Sequence, residues 1–139
     1  MSQTLVRAAL ETALDTWADA QSPAIPVAWE NVTFTPPTTR YIRAFILPAE
    51  TQSLDLLGKH RGFRGIFLVS LCMPIGTGMK ATEALVNALD VLFARASVFT
   101  AGGVRTQIVT PMSASTPIQD DGFIITPVSC QYLAHVVLS

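Results

Sequence analysis

An aromatic ring, a carboxylate and an amide stand side by side at Trp29, Glu30 and Asn31. Such a group could supply a general acid and an orienting amide to an active site. However, no histidine, lysine or second carboxylate lies near it in the sequence. We therefore expect Glu30 to pair with an arginine, and Trp29 to fill a pocket in the core or at an interface.

The two histidines, His60 and His135, are the other candidates for acid–base chemistry. His135 falls in the last predicted strand, on the same face as Ser129 and Gln131, so a Ser–His–acid triad could be drawn there. No nucleophile elbow or other supporting motif accompanies these residues. We interpret His135 as a strand-surface histidine and predict no catalytic residues.

The two cysteines, Cys72 and Cys130, are distant in sequence, and neither they nor the histidines show metal-ligand spacing such as C-x-x-C. We predict buried free thiols, no metal site and no cofactor.

Two short segments resemble sites for anions. The segment "GTGMK" begins at Gly76 but lacks the first glycine and the Lys-Ser/Thr ending of a phosphate loop, so we predict a strand-to-helix turn with glycines at positive φ. The segment "KHRGFRG", residues 59–65, is a small basic cluster in a chain of net charge −1. That balance does not favour nucleic-acid binding, and a solvated loop or a salt-bridged subunit contact is expected instead.

Composition predicts a soluble, cytosolic protein that associates with itself. Half of the 139 residues are hydrophobic and 14% are charged, below the roughly 25% usual for soluble domains. The densest apolar stretch, residues 65–75, is interrupted by Ser70 and Pro74 and is too short to span a membrane. We see no signal peptide. The excess apolar surface is therefore expected to be buried against other subunits.

Hydrophobic periodicity predicts two helices. Residues 3–19 carry one apolar face, formed by Val6, Leu10, Ala13, Leu14 and Trp17, with an i, i+4 pair of Arg7 and Glu11 on the other side. Residues 79–96 carry a second apolar face, and Thr77 is the predicted N-cap.

Five strands are predicted around these helices, at residues 27–32, 41–47, 62–73, 104–110 and 123–138. Residues 41–47 and 62–73 are apolar on both faces, which predicts cover on both, by helices on one side and by a second sheet or a neighbouring subunit on the other. Long connections are predicted at 49–61 and 112–122, and Pro127 is expected at a bulge or an edge position. The order α-β-β-β-α-β-β predicts an α+β fold, with two helices on a mostly antiparallel or mixed sheet, in a single domain over residues 1–139.

A connected series of segments resembles the small tail terminator-like proteins of long-tailed bacteriophages and prophages. The series is "AWENVTFTPP", "RYIRAFILPAE", the Leu57-Gly58 pair, "RGIFLVSLCMPIGTG" and an alanine-rich helix. It covers roughly residues 1–96, and the remaining strands agree in number and place.

This resemblance implies a structural role without catalysis. Tail terminators form a ring, usually a hexamer, on the end of the completed tail tube, stop its polymerisation and present a surface to head-completion proteins. The implied partners are the chain itself, the tail tube protein and a head-completion protein, with no membrane and no specific nucleic-acid binding, although the genome passes through the ring. The implied location is the bacterial host cytoplasm during assembly and then the virion tail.

Six residues are candidate subunit or tube contacts: Trp29, Glu30, Arg43, Lys59, Arg61 and Arg64. The connections 49–61 and 112–122 are the candidate contact segments. Two alternatives stay open: another head–tail connector or tube component, and a small ligand-binding or enzymatic α+β module.

Overall fold

The fold is seen in a computed structural model, which describes residues 2–21, 24–30, 32–35, 38–48, 52–53, 60–76, 78–94, 97–101, 104–120 and 122–137. The two helices are α1 (Ser2–Asp19) and α2 (Met79–Leu92). The strands before α2 are β1 (Val27–Trp29), β2 (Tyr41–Pro48), β3 (Gln52–Ser53) and β4 (His60–Pro74). The strands after α2 are β5 (Val98–Ala101), β6 (Val104–Ile108), β7 (Ser113–Ala114), β8 (Ile118–Asp120) and β9 (Phe123–Val137).

The described strands form one mixed sheet in the order β1-β2-β4-β9-β6-β5. Strand β3 adds to β4, while β7 and β8 add to β9. Only β1 and β2 run parallel among the described pairs, and the other pairs are antiparallel. The predicted α+β class and mostly antiparallel sheet are confirmed.

Helix α1 agrees with the sequence prediction in both extent and buried face. Val6, Leu10 and Leu14 are fully buried, because their i, i+4 and i+8 spacing places them in one stripe against the sheet. Ala13 and Trp17 pack at the edge of that core. On the opposite side, Arg7 Nη1 and Glu11 Oε2 form the predicted pair at 3.1 Å.

Helix α2 is shorter than predicted, ending at Leu92 rather than near residue 96. Its C-cap is Phe93, which leaves helical geometry with φ −108° and ψ 48° while its N–H still donates to the Leu89 carbonyl at 2.8 Å. Phe93 is fully buried, with its ring in edge contact with Phe67 at 5.2 Å. Tertiary packing of that ring therefore accompanies the end of the helix. The N-cap position is Gly78, and Thr77 lies outside the described residues.

Strands β4 and β9 are 15 residues long and pair along their whole length, forming the centre of the sheet. Gly65 of β4 permits a close approach of both neighbouring strands, because a Cβ at this position would lie 2.5 Å from the Leu47 carbonyl oxygen of β2 and 2.7 Å from the Tyr132 hydroxyl of β9. Strand β4 begins at His60, so the prediction that residues 60 and 61 belong to a connection was wrong. Backbone pairing of Gln52 and Ser53 with β4 also adds a strand in that connection.

The C-terminal half contains more strands than predicted. Strand β5 was missed, since its four residues show little periodicity, and the predicted polar loop 112–122 contains β7 and β8. Pro127 lies within β9, and its carbonyl accepts a hydrogen bond from Ser115 N–H at 2.8 Å. The three residues 115–117 between β7 and β8 lie opposite the two residues Thr126 and Pro127 of β9, so the missing N–H falls at a bulge-like interruption of this ladder. Strand β9 is flanked by other strands on both sides, so the predicted alternative of an edge position was wrong.

The two faces of the sheet have different cover. The inner face carries both helices and the main core, in which Phe67, Val69 and Leu71 of β4 are fully buried. Among the described residues, the outer face is covered at the end where Phe34 contacts Tyr41 and Tyr41 contacts Phe123, with ring centroids 5.4 and 5.3 Å apart. The predicted cover on the outer side is thus partial within the described part of the chain.

Candidate functional site

The Glu30 carboxylate links helix α1 to the edge of the sheet. Its Oε1 accepts hydrogen bonds from Arg7 Nη1 at 3.1 Å and from the Ile46 backbone N–H at 3.0 Å. The prediction that Glu30 pairs with an arginine is confirmed, and the partner is Arg7 of α1. The Ile46 hydrogen bond lowers the pKa of Glu30, and the Arg7 guanidinium lowers it further. The carboxylate is therefore held in its charged form.

The same carboxylate completes the β1–β2 ladder where β1 stops. Ile42 N–H donates to the Pro26 carbonyl at 3.0 Å, so alternate residues of β2 direct their backbone groups toward β1. At Ile46 the strand partner has ended and the Glu30 side chain accepts the hydrogen bond instead. The next residue in this alternation is Pro48, which has no N–H. The β2 edge beyond β1 therefore offers no free donor for an added strand, which is one way that proteins protect a sheet edge.

Trp29 lies on the inner side of the sheet, opposite Ala44 in register, and is half-buried against the core. Together with Arg7, Glu11, Glu30 and Val32 it lines an open surface pocket of about 550 Å³. Because the ring is only partly covered, it can contribute both to the core and to an apolar contact with a partner.

Arg43 lies on the outer face of β2. Its Nη2 donates to the Tyr41 hydroxyl at 3.3 Å, and its Cζ stands 5.7 Å from the centre of the Tyr41 ring. This contact orients the guanidinium along the sheet surface and occupies one of its donors.

The other three candidate contact residues, Arg64, Arg61 and Lys59, are described by the structure to different extents. Arg64 is exposed on the outer face of β4, opposite Leu133. Arg61 is a β4 residue whose backbone pairs with Ser53 and Val136, and its side chain is outside the described part. Lys59 also lies outside the described residues.

The six candidates therefore do not form one site. Trp29 and Glu30 stand at the sheet edge next to α1, whereas Arg43 and Arg64 stand on the outer face. Arg43 pairs with Ser70, six residues along β4 from Arg64, so the two arginines are about 20 Å apart along the strands. They bracket a group of apolar residues on the sheet face for which the sequence predicted cover by a second sheet or a neighbouring subunit. The alternation of side chains along β2 and β4 indicates that these residues share one face of the sheet. It does not indicate whether that face is covered or exposed to solvent.

The possible Ser–His–acid triad is excluded by the register of β9. Ser129 and His135 are six residues apart on one continuous strand, which separates them by about 20 Å. Ser129 pairs with Leu68, while His135 pairs with Gly62 and Arg105.

The cysteines and glycines agree with their predicted structural roles. Cys72 and Cys130 are both buried free thiols, on opposite faces of the sheet, and burial raises the pKa of Cys130 to about 12. Gly76 and Gly78 have φ values of 95° and 78°, so the "GTGMK" glycines do occupy the left-handed region. In the described part of the chain, no three potential ligands gather to hold a metal ion.

Comparison with known proteins assigns the family. The family model for "Phage tail terminator protein" matches residues 5–132. One solved structure is 44% identical to the chain, covers 96% of both chains and superposes with a TM-score of 0.82. No protein with a curated description matches. The chain belongs to the phage tail terminator protein family.

Membership in this family makes the chain a structural protein of the phage tail, in a family of structural proteins rather than enzymes. It also implies contacts with other tail proteins and a place in the virion tail. Neither α1 nor α2, nor any other helix in the described ranges, combines the length and hydrophobicity needed to cross a membrane.

Proposed function

We propose that this protein, acting as a single domain, caps the completed tail tube as an oligomeric ring, ends tube polymerisation and presents the surface to which the head is joined. The partners are further copies of the chain, in a hexamer, then the tail tube protein and a head-completion protein. Assembly takes place in the host cytoplasm, without catalysis, membrane attachment or sequence-specific nucleic-acid binding.

The observation that supports this proposal most directly is the incompletely covered outer face of the sheet. Exposed apolar side chains remain on β2 and β4 while both helices occupy the other face. Apolar surface of this kind is characteristic of protein interfaces. The family assignment, in turn, indicates that the partners are tail proteins.

The blocked β2 edge supports a cap rather than a polymerising component. Glu30 occupies the Ile46 donor, and Pro48 supplies none. Growth by strand addition at this edge is therefore disfavoured, and contacts between copies are expected to use side-chain surfaces.

Tube-length control is the direct test. The purified chain is added to tube protein from the same phage during polymerisation, and tube lengths are measured by negative-stain microscopy. In the mixture with tube protein, we expect shorter tubes that carry a ring at one end. Without tube protein, we expect the chain to form uniform rings, or to form rings only on tube ends, and not to form open tubes. Unchanged lengths with bare ends, or open tubes of this chain, contradict capping.

Trp29→Ala links this assay to the sheet edge. We expect this change to lower stability or ring formation, because the indole packs both on the core and beside the pocket shared with Arg7 and Val32. Asn87→Ala, an exposed change on α2, is the control and is expected to keep both properties.

A further inference from the structure

An apolar patch occupies the open part of the outer sheet face. Phe45 pairs with Leu68, and Leu47 pairs with Ile66 in the next outward-facing position, so the four side chains are cross-strand neighbours. We call these four residues the outer patch. Leu47 is 49% exposed and Ile66 is 38% exposed, while Phe45 and Leu68 are half-buried. The outer patch is therefore continuous and accessible.

Positive charge borders the outer patch at both ends. Arg43 precedes it on β2 and Arg64 lies beyond it on β4. Arg64 makes no ion pair with the described residues. The β9 positions alongside are Pro127, Ser129, Gln131 and Leu133, none of which is acidic. An apolar centre with arginines at its rim suits a protein surface that carries carboxylates around a groove.

The chain itself carries such a surface on helix α1. Ala8, Thr12 and Thr16 line a groove between α1 and β5 of about 640 Å³. Asp15 and Asp19 are exposed on α1 next to these groove residues. Neither carboxylate has an ion-pair partner in the part of the chain that is described. We call this surface the α1 groove.

We propose that the outer patch of one copy packs into the α1 groove of the next copy, with Arg64 facing Asp15 and Asp19 of α1. Arg43, about 20 Å from Arg64 along the strands, then lies beyond these two carboxylates. This contact rests on the proposed ring function and specifies its subunit seam. Small groove residues leave room for the Leu47 and Ile66 side chains, and the charge of Arg64 is complementary to that of Asp15 and Asp19.

The geometry of the two surfaces determines the kind of assembly. The outer patch is on the face of the sheet opposite the helices, whereas the α1 groove is on the helical side. A contact between two different surfaces is heterologous: it repeats from copy to copy and gives a ring when the rotation between copies closes, or an open filament when it does not. A face-to-face dimer through the outer patch would instead leave every α1 groove empty.

A charge-reversal series tests the seam. Arg64→Glu and Asp15→Lys are each expected to weaken ring association by at least about tenfold, because each places like charges in contact. The double variant is expected to recover a large part of that loss. Lys80→Glu, on the exposed start of α2, is the matched control and should leave association unchanged. Single variants that associate as strongly as the wild-type chain overturn the pairing. A double variant whose loss is the sum of the two single losses also overturns it.

Cysteine cross-linking tests the same seam without relying on charge. Ile66→Cys and Thr12→Cys are introduced singly and together, and a short flexible bis-maleimide is added to the assembled protein. The native thiols Cys72 and Cys130 are buried. Cross-linking of the wild-type chain, which has only these two thiols, gives the background level. The double variant should give a ladder of covalent oligomers, whereas a mixture of the two single variants should stop at dimers. Circular dichroism and thermal melts establish that each variant is folded.

The outcomes separate the seam from the ring function. Dimers from Ile66→Cys alone indicate a face-to-face contact and overturn the proposal. Rings or tube caps that form without cross-linking in the double variant overturn the seam but leave the capping function intact. If the wild-type chain forms no oligomer, alone or on tube ends, the capping function fails and the seam fails with it.

Discussion

Replacement of Glu30 by alanine isolates the contact that joins α1, β1 and β2. The change removes the acceptor of the Ile46 N–H and the ion-pair partner of Arg7, both held by the same Oε1 atom. The neighbouring Trp29 side chain and the residues of β2 are unchanged by this substitution. The expected result is a folded but less stable protein.

The size of the loss follows from the two interactions. A hydrogen bond to a charged acceptor contributes about 1.5–3 kcal/mol, and a solvent-exposed ion pair about 0.2–1 kcal/mol. The Glu30 side chain is 34% exposed and that of Arg7 is 37% exposed, so solvent screening reduces both contributions. We expect the free energy of unfolding to fall by about 2 kcal/mol, with a decrease in Tm of about 8 °C.

The pH dependence identifies the carboxylate as the cause. The folded-state pKa of Glu30 is lowered below its ordinary value of 4.5. Its stabilisation is therefore fully present above about pH 4.5 and is lost as the pH falls through the lower folded pKa. The difference between wild type and Glu30→Ala should be constant near neutral pH and should shrink under acid conditions.

Urea denaturation followed by tryptophan fluorescence and circular dichroism measures this difference from pH 7 down to pH 3. Glu83→Gln, an exposed carboxylate on α2, is the control and should stay within about 0.5 kcal/mol of wild type. A Glu30→Ala deficit below that limit at pH 7 refutes the stabilising role of the Glu30 contacts with Arg7 and Ile46. A deficit that persists unchanged at pH 3 refutes the role of the charge.

Three further outcomes are expected. Gly65→Ala should lower the free energy of unfolding by about 1–3 kcal/mol in chemical denaturation, because the added Cβ meets the Leu47 carbonyl oxygen at 2.5 Å. Unchanged stability contradicts this close approach. Phe93→Ala should cost about 3–5 kcal/mol, since the ring is fully buried, and a loss below 1 kcal/mol by the same measurement argues against that packing. Cys72 and Cys130 should resist Ellman's reagent at pH 8 until the protein is unfolded, because burial raises the pKa of both thiols, that of Cys130 to about 12; rapid labelling of the native protein contradicts their burial.

Local patterns were sufficient to predict the helices and long strands. Apolar residues at helical spacing identified α1 and its buried stripe, and alternating apolar residues identified β2, β4 and β9. The Arg7–Glu11 pair followed from its i, i+4 spacing. These features depend on residues close in sequence, where geometry is nearly fixed by the element itself.

Short strands and exact helix ends could not be predicted in the same way. Strands β5, β7 and β8 have two to four residues, and their pairing partners come from other parts of the chain. The end of α2 coincides with Phe93, whose ring is buried against residues from β4 and β5. Such contacts override the periodicity that continues toward residue 96.

The candidate contact residues show where sequence reasoning was sufficient and where it was not. The sequence predicted that Glu30 needs an arginine, but the choice of Arg7 and the hydrogen bond to Ile46 depend on how α1 lies over the β1–β2 edge. The sequence also placed Arg43 and Arg64 together with Trp29 as contacts. The sheet register places the arginines on one face and Trp29 on the other.

The sequence alone determined the fold class, the identity of the buried stripes and a set of motifs shared with tail terminators. It did so because secondary structure and core patterning are encoded in local spacing. Tertiary structure decided which sheet face the helices cover. Alternation shows which residues of a strand share a face, but only the packing of α1 and α2 on the inner side leaves the outer patch open.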